Sequence, residues 1–159
     1  MAMNAQGRLT VRWGLILIAV AGLAIDAYVH FHLASAYSGV KTSTLSQGDL
    51  FRAEGAVALI AAAALLLRPR RYTAAFAFIV LAAGTAAVVV YRYVNVGAFG
   101  PFPNMYEPLW YGEKTLSAIA EGVGAVAALA LLGVLHADAR HTDHAPTRSA
   151  GGNAVQAVG

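Results

Sequence analysis

The sequence predicts an all-α transmembrane four-helix bundle, and three observations predict it. First, 58% of the 159 residues are apolar and only 12% are charged, with a mean hydropathy of +0.60, a balance suited to a bilayer. Second, four stretches, 11–32, 50–67, 72–94 and 115–135, each approach the roughly 20 residues that a helix needs to cross about 30 Å of hydrocarbon. Third, no stretch sustains the period-2 alternation of a barrel strand, which leaves the helix as the way to satisfy backbone polar groups in lipid.

The first span follows Arg8 and Arg12, and Ala34-Ser35-Ala36 downstream has the look of a signal cleavage site. Asp26, His30 and His32 would make that signal's last region too long and too polar, so the span is expected to remain as a helix. In the polar connection that follows, Ser46-Gln47-Gly48-Asp49 has the spacing of a capping box and marks the start of the second helix. Arg68-Pro69-Arg70-Arg71 leaves room only for a tight turn, which makes the second and third helices antiparallel neighbours. Beyond the third span, Gly97, Gly100, Pro101, Pro103 and Asn104 break the helix. Phe99, Phe102, Tyr106, Trp110 and Tyr111 make this loop amphipathic, so it is expected to form an interfacial aromatic belt or to fold over the bundle mouth. The fourth span leads into residues 137–159, which lack an amphipathic period and are expected to be a disordered tail. His136, Asp138, His141, Asp143 and His144 read as part of that solvated tail and not as a metal cluster. The domain organisation is thus a short N-terminus, 1–10, a membrane domain, 11–136, and the tail.

Charge sets the expected orientation. Seven arginines accompany the N-terminus, the turn between the second and third spans and the tail, against Asp138 and Asp143, whereas the opposite half carries four basic and six acidic groups. Both termini are therefore expected to be cytoplasmic, and the protein to lie in the plasma membrane. No basic stripe with interleaved aromatics points to nucleic acid. The absence of cysteine excludes disulfides, thiolate metal sites and thiol relays, and no hydrolytic triad, phosphate loop or dinucleotide fingerprint is present.

Ionisable groups inside the spans carry the functional information, because a charge at the bilayer centre costs on the order of 3 kcal/mol and has to face the bundle. They are Asp26 and His30 on the first helix, Arg52 and Glu54 on the second, Arg92 on the third, and Lys114 and Glu121 on the fourth. Helical rise puts Asp26, Glu54, Arg92 and Glu121 roughly 7–10 Å below the outer helix ends. Gly22, Asp26 and His30 recur at i+4, as do Glu54, Ala58 and Ala62. Thr85, Arg92 and Asn95, and likewise Lys114, Ser117 and Glu121, share a face, so four polar stripes are expected to converge on the axis. Ala120, Gly124 and Ala128 permit close helix approach beside Glu121, and with it self-association.

Two readings of this cluster stand side by side. In one, Arg92 bridges Asp26 or Glu121 while Arg52 and Lys114 satisfy Asp49 and Glu113, an ion-paired clamp. In the other, the groups line a polar cavity open to the outside that exchanges protons or holds a cation, with His30 assisting and Arg92 orienting an anionic group. Asp26, His30, Glu54 and Glu121 offer a mixed carboxylate and imidazole set. The paired Glu-x-x-His motifs of di-metal bundles are missing and Arg92 would repel a cation, so neither metal nor cofactor is assigned. Haem is disfavoured because His30 and His32 point apart on one helix.

Tyr28-Val29-His30-Phe31-His32-Leu33-Ala34, Leu50-Phe51-Arg52-Ala53-Glu54-Gly55, Tyr91-Arg92-Tyr93-Val94-Asn95-Val96-Gly97, and Pro103-Asn104-Met105-Tyr106-Glu107-Pro108 through Glu113-Lys114 resemble recurring blocks of a group of small four-span bacterial membrane proteins. The resemblance covers about residues 10–136 and implies four helices in the plasma membrane; it brings no activity with it. The four-span outline is also similar to that of DoxX-like membrane proteins. The functional expectation is a non-enzymatic accessory or scaffold component that binds a membrane-protein partner or a lipid. A small transporter or proton-coupled carrier comes second and a membrane-embedded metalloenzyme third.

Overall fold

The computed structural model describes residues 5–143, and within them four helices run in sequence: α1 (Ala5–Leu33), α2 (Gln47–Leu67), α3 (Arg71–Tyr93) and α4 (Gly112–Asp143). All four are long and apolar enough to cross a membrane. Their outward faces carry large apolar side chains such as Ile18, Ile60, Ile79, Ile119 and Val126. Such a surface matches acyl chains, and four helices of the expected all-α class are compatible with a multi-pass membrane protein.

Local chemistry sets the helix ends. The Ser46 hydroxyl accepts from the Asp49 main-chain N–H at 3.0 Å while Asp49 Oδ2 accepts from the Ser46 N–H at 3.2 Å, so the expected capping box starts α2. Pro69 stands in the turn after α2, and the Thr73 hydroxyl donates to the Arg68 carbonyl at 2.7 Å across it. α4 continues through 137–143, part of the stretch expected to be disordered. Ala137 and Ala139 and the lack of Gly or Pro between 134 and 145 let the helix propagate from the packed segment before it. The rest of the expected tail, 144–159, and residues 1–4 lie outside the described residues.

The two ends of the bundle differ. At one end Arg12 donates to the Pro69 carbonyl at 2.8 Å, joining the start of α1 to the α2–α3 turn. At the other, the Thr42 hydroxyl donates to the Pro101 carbonyl at 2.8 Å, and the Tyr37 and Tyr111 hydroxyls lie 2.8 Å apart, joining the 34–46 loop to the 94–111 loop. We call these the arginine end and the loop end. α1 packs closely on α2 and α4, and α3 on α4, whereas α2 and α3 touch far less.

Core and cavity divide the bundle along its length. Ile16, Leu23, Leu65, Leu81 and Leu131, with alanines between them, fill the middle and the arginine end. Small residues let the backbones approach, which drives packing where water cannot. The loop end holds the buried polar residues and a cavity of about 530 Å³.

Candidate functional site

A tight backbone contact between α1 and α4 positions the site. A Cβ added at Gly22 of α1 would lie 2.7 Å from the Ala120 carbonyl oxygen and 3.1 Å from the Gly124 Cα of α4, so only glycine permits this crossing. One turn beyond Gly22 on α1 comes Asp26, and beside the same contact on α4 comes Glu121. Both are 0% exposed. Apposed glycines thus bring two carboxylates from different helices together inside the bundle.

His30 completes the group. Its Nδ1 lies 2.6 Å from Asp26 Oδ1 and 3.0 Å from the Asp26 carbonyl oxygen, the acceptor at which an Nδ1 hydrogen points. Phe51 of α2 meets the imidazole edge-on, with ring centroids 5.0 Å apart. The Ser117 hydroxyl, one turn before Glu121, donates to Glu121 Oε1 at 2.5 Å and orients that carboxylate. Asp26 Oδ2 and Glu121 Oε2 are buried with no hydrogen-bond partner, and Asp26 Oδ1 meets only the His30 ring. From α3 the residue against Glu121 is Gly84, where a Cβ would stand 2.7 Å from Oε2. Donor atoms of Asp26, His30 and Glu121 all lie within 4.8 Å of one another.

The cavity begins where this cluster ends. His30 and Ser117 form its floor, and its facing walls come from α2, with Phe51, Ala53 and Glu54, and from α3, with Ala83, Gly84 and Ala87. Phe102, Met105, Glu107 and Tyr111 roof it. Lys114, 8% exposed, donates to the Glu107 carbonyl and approaches the Trp110 ring at 5.6 Å. The main chain of Glu107 is also tied to α3, its N–H donating to the Tyr91 carbonyl at 3.0 Å. Burial and the Tyr37 hydroxyl raise the pKa of the Tyr111 phenol well above its ordinary value, so the tie between the loops is uncharged.

The structure brings Asp26, His30, Ser117 and Glu121 together, with Glu54 and Lys114 on the cavity wall. Arg92 departs from expectation. It bridges neither Asp26 nor Glu121; its guanidinium stacks 5.0 Å over the Tyr93 ring and its Nε is buried without a partner. The reason is position along α3, which ends at Tyr93, so that Arg92 lies about eight residues, or roughly 12 Å, beyond Gly84. Asn95 falls past the helix, and the Thr85 hydroxyl donates to its own helix at the Leu81 carbonyl, so α3 adds no polar stripe to the axis. The surface pair Arg52–Asp49 forms at 3.0 Å, while Lys114 bonds the Glu107 carbonyl and not Glu113.

The aromatic loop divides its side chains between the cavity and the outside. Phe102 and Tyr111 face the cavity, whereas Phe99, 75% exposed, and Trp110 point outward and Tyr106 is partly exposed. Sequence reasoning overlooked Gly84 and the Tyr37–Tyr111 tie; the run of small residues from Ala82 to Ala87 was the available hint of a thin helix wall. Comparison with family models, with curated proteins and with solved structures returns no match.

Proposed function

We propose that this chain is a non-enzymatic plasma-membrane protein that holds one lipid-like amphiphile in the cleft between α2 and α3. The observation that carries this reading is the cavity itself. Its volume of about 530 Å³ lies within the usual range of small-ligand pockets, and its lining is mainly apolar, with few polar side chains, among them Glu54 and Lys114. An apolar chain would lie along Ala53, Ala83 and Ala87, and a polar end would meet Lys114. The arginines at the opposite end favour cytoplasmic termini and an outward-facing cavity. The reading is in keeping with the resemblance to small four-span bacterial membrane proteins and with an accessory role.

A second reading, a proton-coupled carrier, is favoured by the buried carboxylates under the cavity floor. The experiment for the first is native mass spectrometry of protein extracted from its own membrane, comparing wild type with Ala87→Trp, which fills the cleft, and Ile79→Trp, on the exposed face of α3. Loss of a stoichiometric bound lipid in Ala87→Trp alone is the expected result. An unchanged lipid complement in Ala87→Trp would rule the reading out.

A further inference from the structure

We propose that Asp26, His30 and Glu121 form a binding site for a divalent transition-metal cation at the base of the cavity. The donor set is two carboxylates and one imidazole, drawn from α1 and α4, with one atom of each inside a 4.8 Å span. An imidazole beside carboxylates suits ions such as Zn²⁺, Mn²⁺ or Fe²⁺ better than Mg²⁺ or Ca²⁺. Three protein ligands would leave coordination positions open toward the cavity.

Unsatisfied donors supply the second, independent argument. Asp26 Oδ2 and Glu121 Oε2 are shut off from solvent without a hydrogen-bond partner, although buried carboxylate oxygens ordinarily have one, and Asp26 Oδ1 has only the His30 imidazole beside it. Two ionised carboxylates held together in the bundle interior are stabilised by a compensating positive charge. A protonated His30 brings one unit, whereas a divalent ion with neutral imidazole brings the whole group to zero. The objection raised by the sequence, repulsion by Arg92, weakens at roughly 12 Å along the axis from the residue that faces Glu121.

The surroundings are also those of a built site. The Ser117 hydroxyl holds Glu121 Oε1 and so aims Oε2, as supporting groups around metal ligands do. Apposed Gly22 and Gly124 fix the distance between the two donor helices, and Gly84 leaves the space next to Oε2 free of a side chain. His30 and Ser117 face the cavity, which gives an ion its way in. The site stands whatever fills the cavity above it.

The test uses the full chain in detergent, stripped with chelator and dialysed against Zn²⁺ or Mn²⁺ alone, with metal content read by elemental analysis and affinity by titration calorimetry. One ion per chain is expected. Asp26→Asn and Glu121→Gln should abolish binding, Ser117→Ala should weaken it by about 10- to 100-fold, and exposed Glu113→Gln should leave it unchanged. Size-exclusion profiles identify any variant that has lost its fold, and Ser117→Ala, which keeps all three ligands, then serves in its place. No binding by the wild type, or binding that survives Asp26→Asn and Glu121→Gln in folded protein, would overturn the proposal.

Discussion

Gly22→Ala adds a single methyl group to the crowded backbone contact between α1 and α4. The new Cβ would stand 2.7 Å from the Ala120 carbonyl oxygen, against the 3.4 Å at which ordinary contact begins, so α1 and α4 must part by about 0.7 Å at that level. Both obstructing atoms are backbone, and no side chain can rotate away. Overpacking of this kind costs about 1–3 kcal/mol, while replacing a helical glycine by alanine returns up to about 1 kcal/mol. The net expectation is a loss of about 1 kcal/mol. Gly122→Ala on α4 is the matched control, since nothing lies within 4 Å of its Cβ position and only the helix gain remains. Thermal unfolding in one detergent, followed by circular dichroism, should therefore order the proteins as Gly122→Ala at or above wild type and Gly22→Ala below it. Asp26 lies one turn from Gly22, so the same parting should also weaken metal binding. If Gly22→Ala is as stable as Gly122→Ala, glycine apposition does not set the α1–α4 spacing and the derivation of the site fails with it.

Two further contrasts test the loop end. Ser46→Ala removes the hydroxyl that accepts from the Asp49 N–H and should cost about 1 kcal/mol, whereas Arg52→Ala breaks a half-exposed ion pair and should cost less than about 0.5 kcal/mol; equal losses in denaturant titration would contradict the capping assignment. The raised Tyr111 pKa keeps its phenol neutral where an ordinary tyrosine ionises near pH 10. Ultraviolet titration of Tyr111→Phe up to about pH 11 should thus match wild type in amplitude, and a drop equal to one tyrosine would refute the tie to Tyr37.

Much of this molecule is legible in one dimension. Span length and apolarity are local quantities, and they specify four helices whatever the packing. The capping box at Ser46 and the turn at Pro69 are likewise local, since their partners lie within a few residues. The grouping of Asp26 and His30 on one face, and of Ser117 and Glu121 on another, follows from helical period alone. Which faces meet does not. The expected end of α3 at 94 falls within one residue of the observed Tyr93, so Arg92 lies only about 3 Å from the helix end, and its sharing a level with Asp26 and Glu121 never followed from the helical rise.

Sequence by itself determined the solvent this chain requires, the number of helices and the side chains too polar to face lipid, because burial cost and periodicity are properties of residues and short windows. Tertiary structure alone decided that Asp26 meets Glu121 and not Arg92, that Gly84 is the α3 residue beside them, and that a cavity opens between α2 and α3. The physical reason is that interhelical distance depends on the sizes of residues far apart in the chain. Gly22 and Gly124 draw α1 and α4 together, and no local pattern around either one says that the other will be opposite.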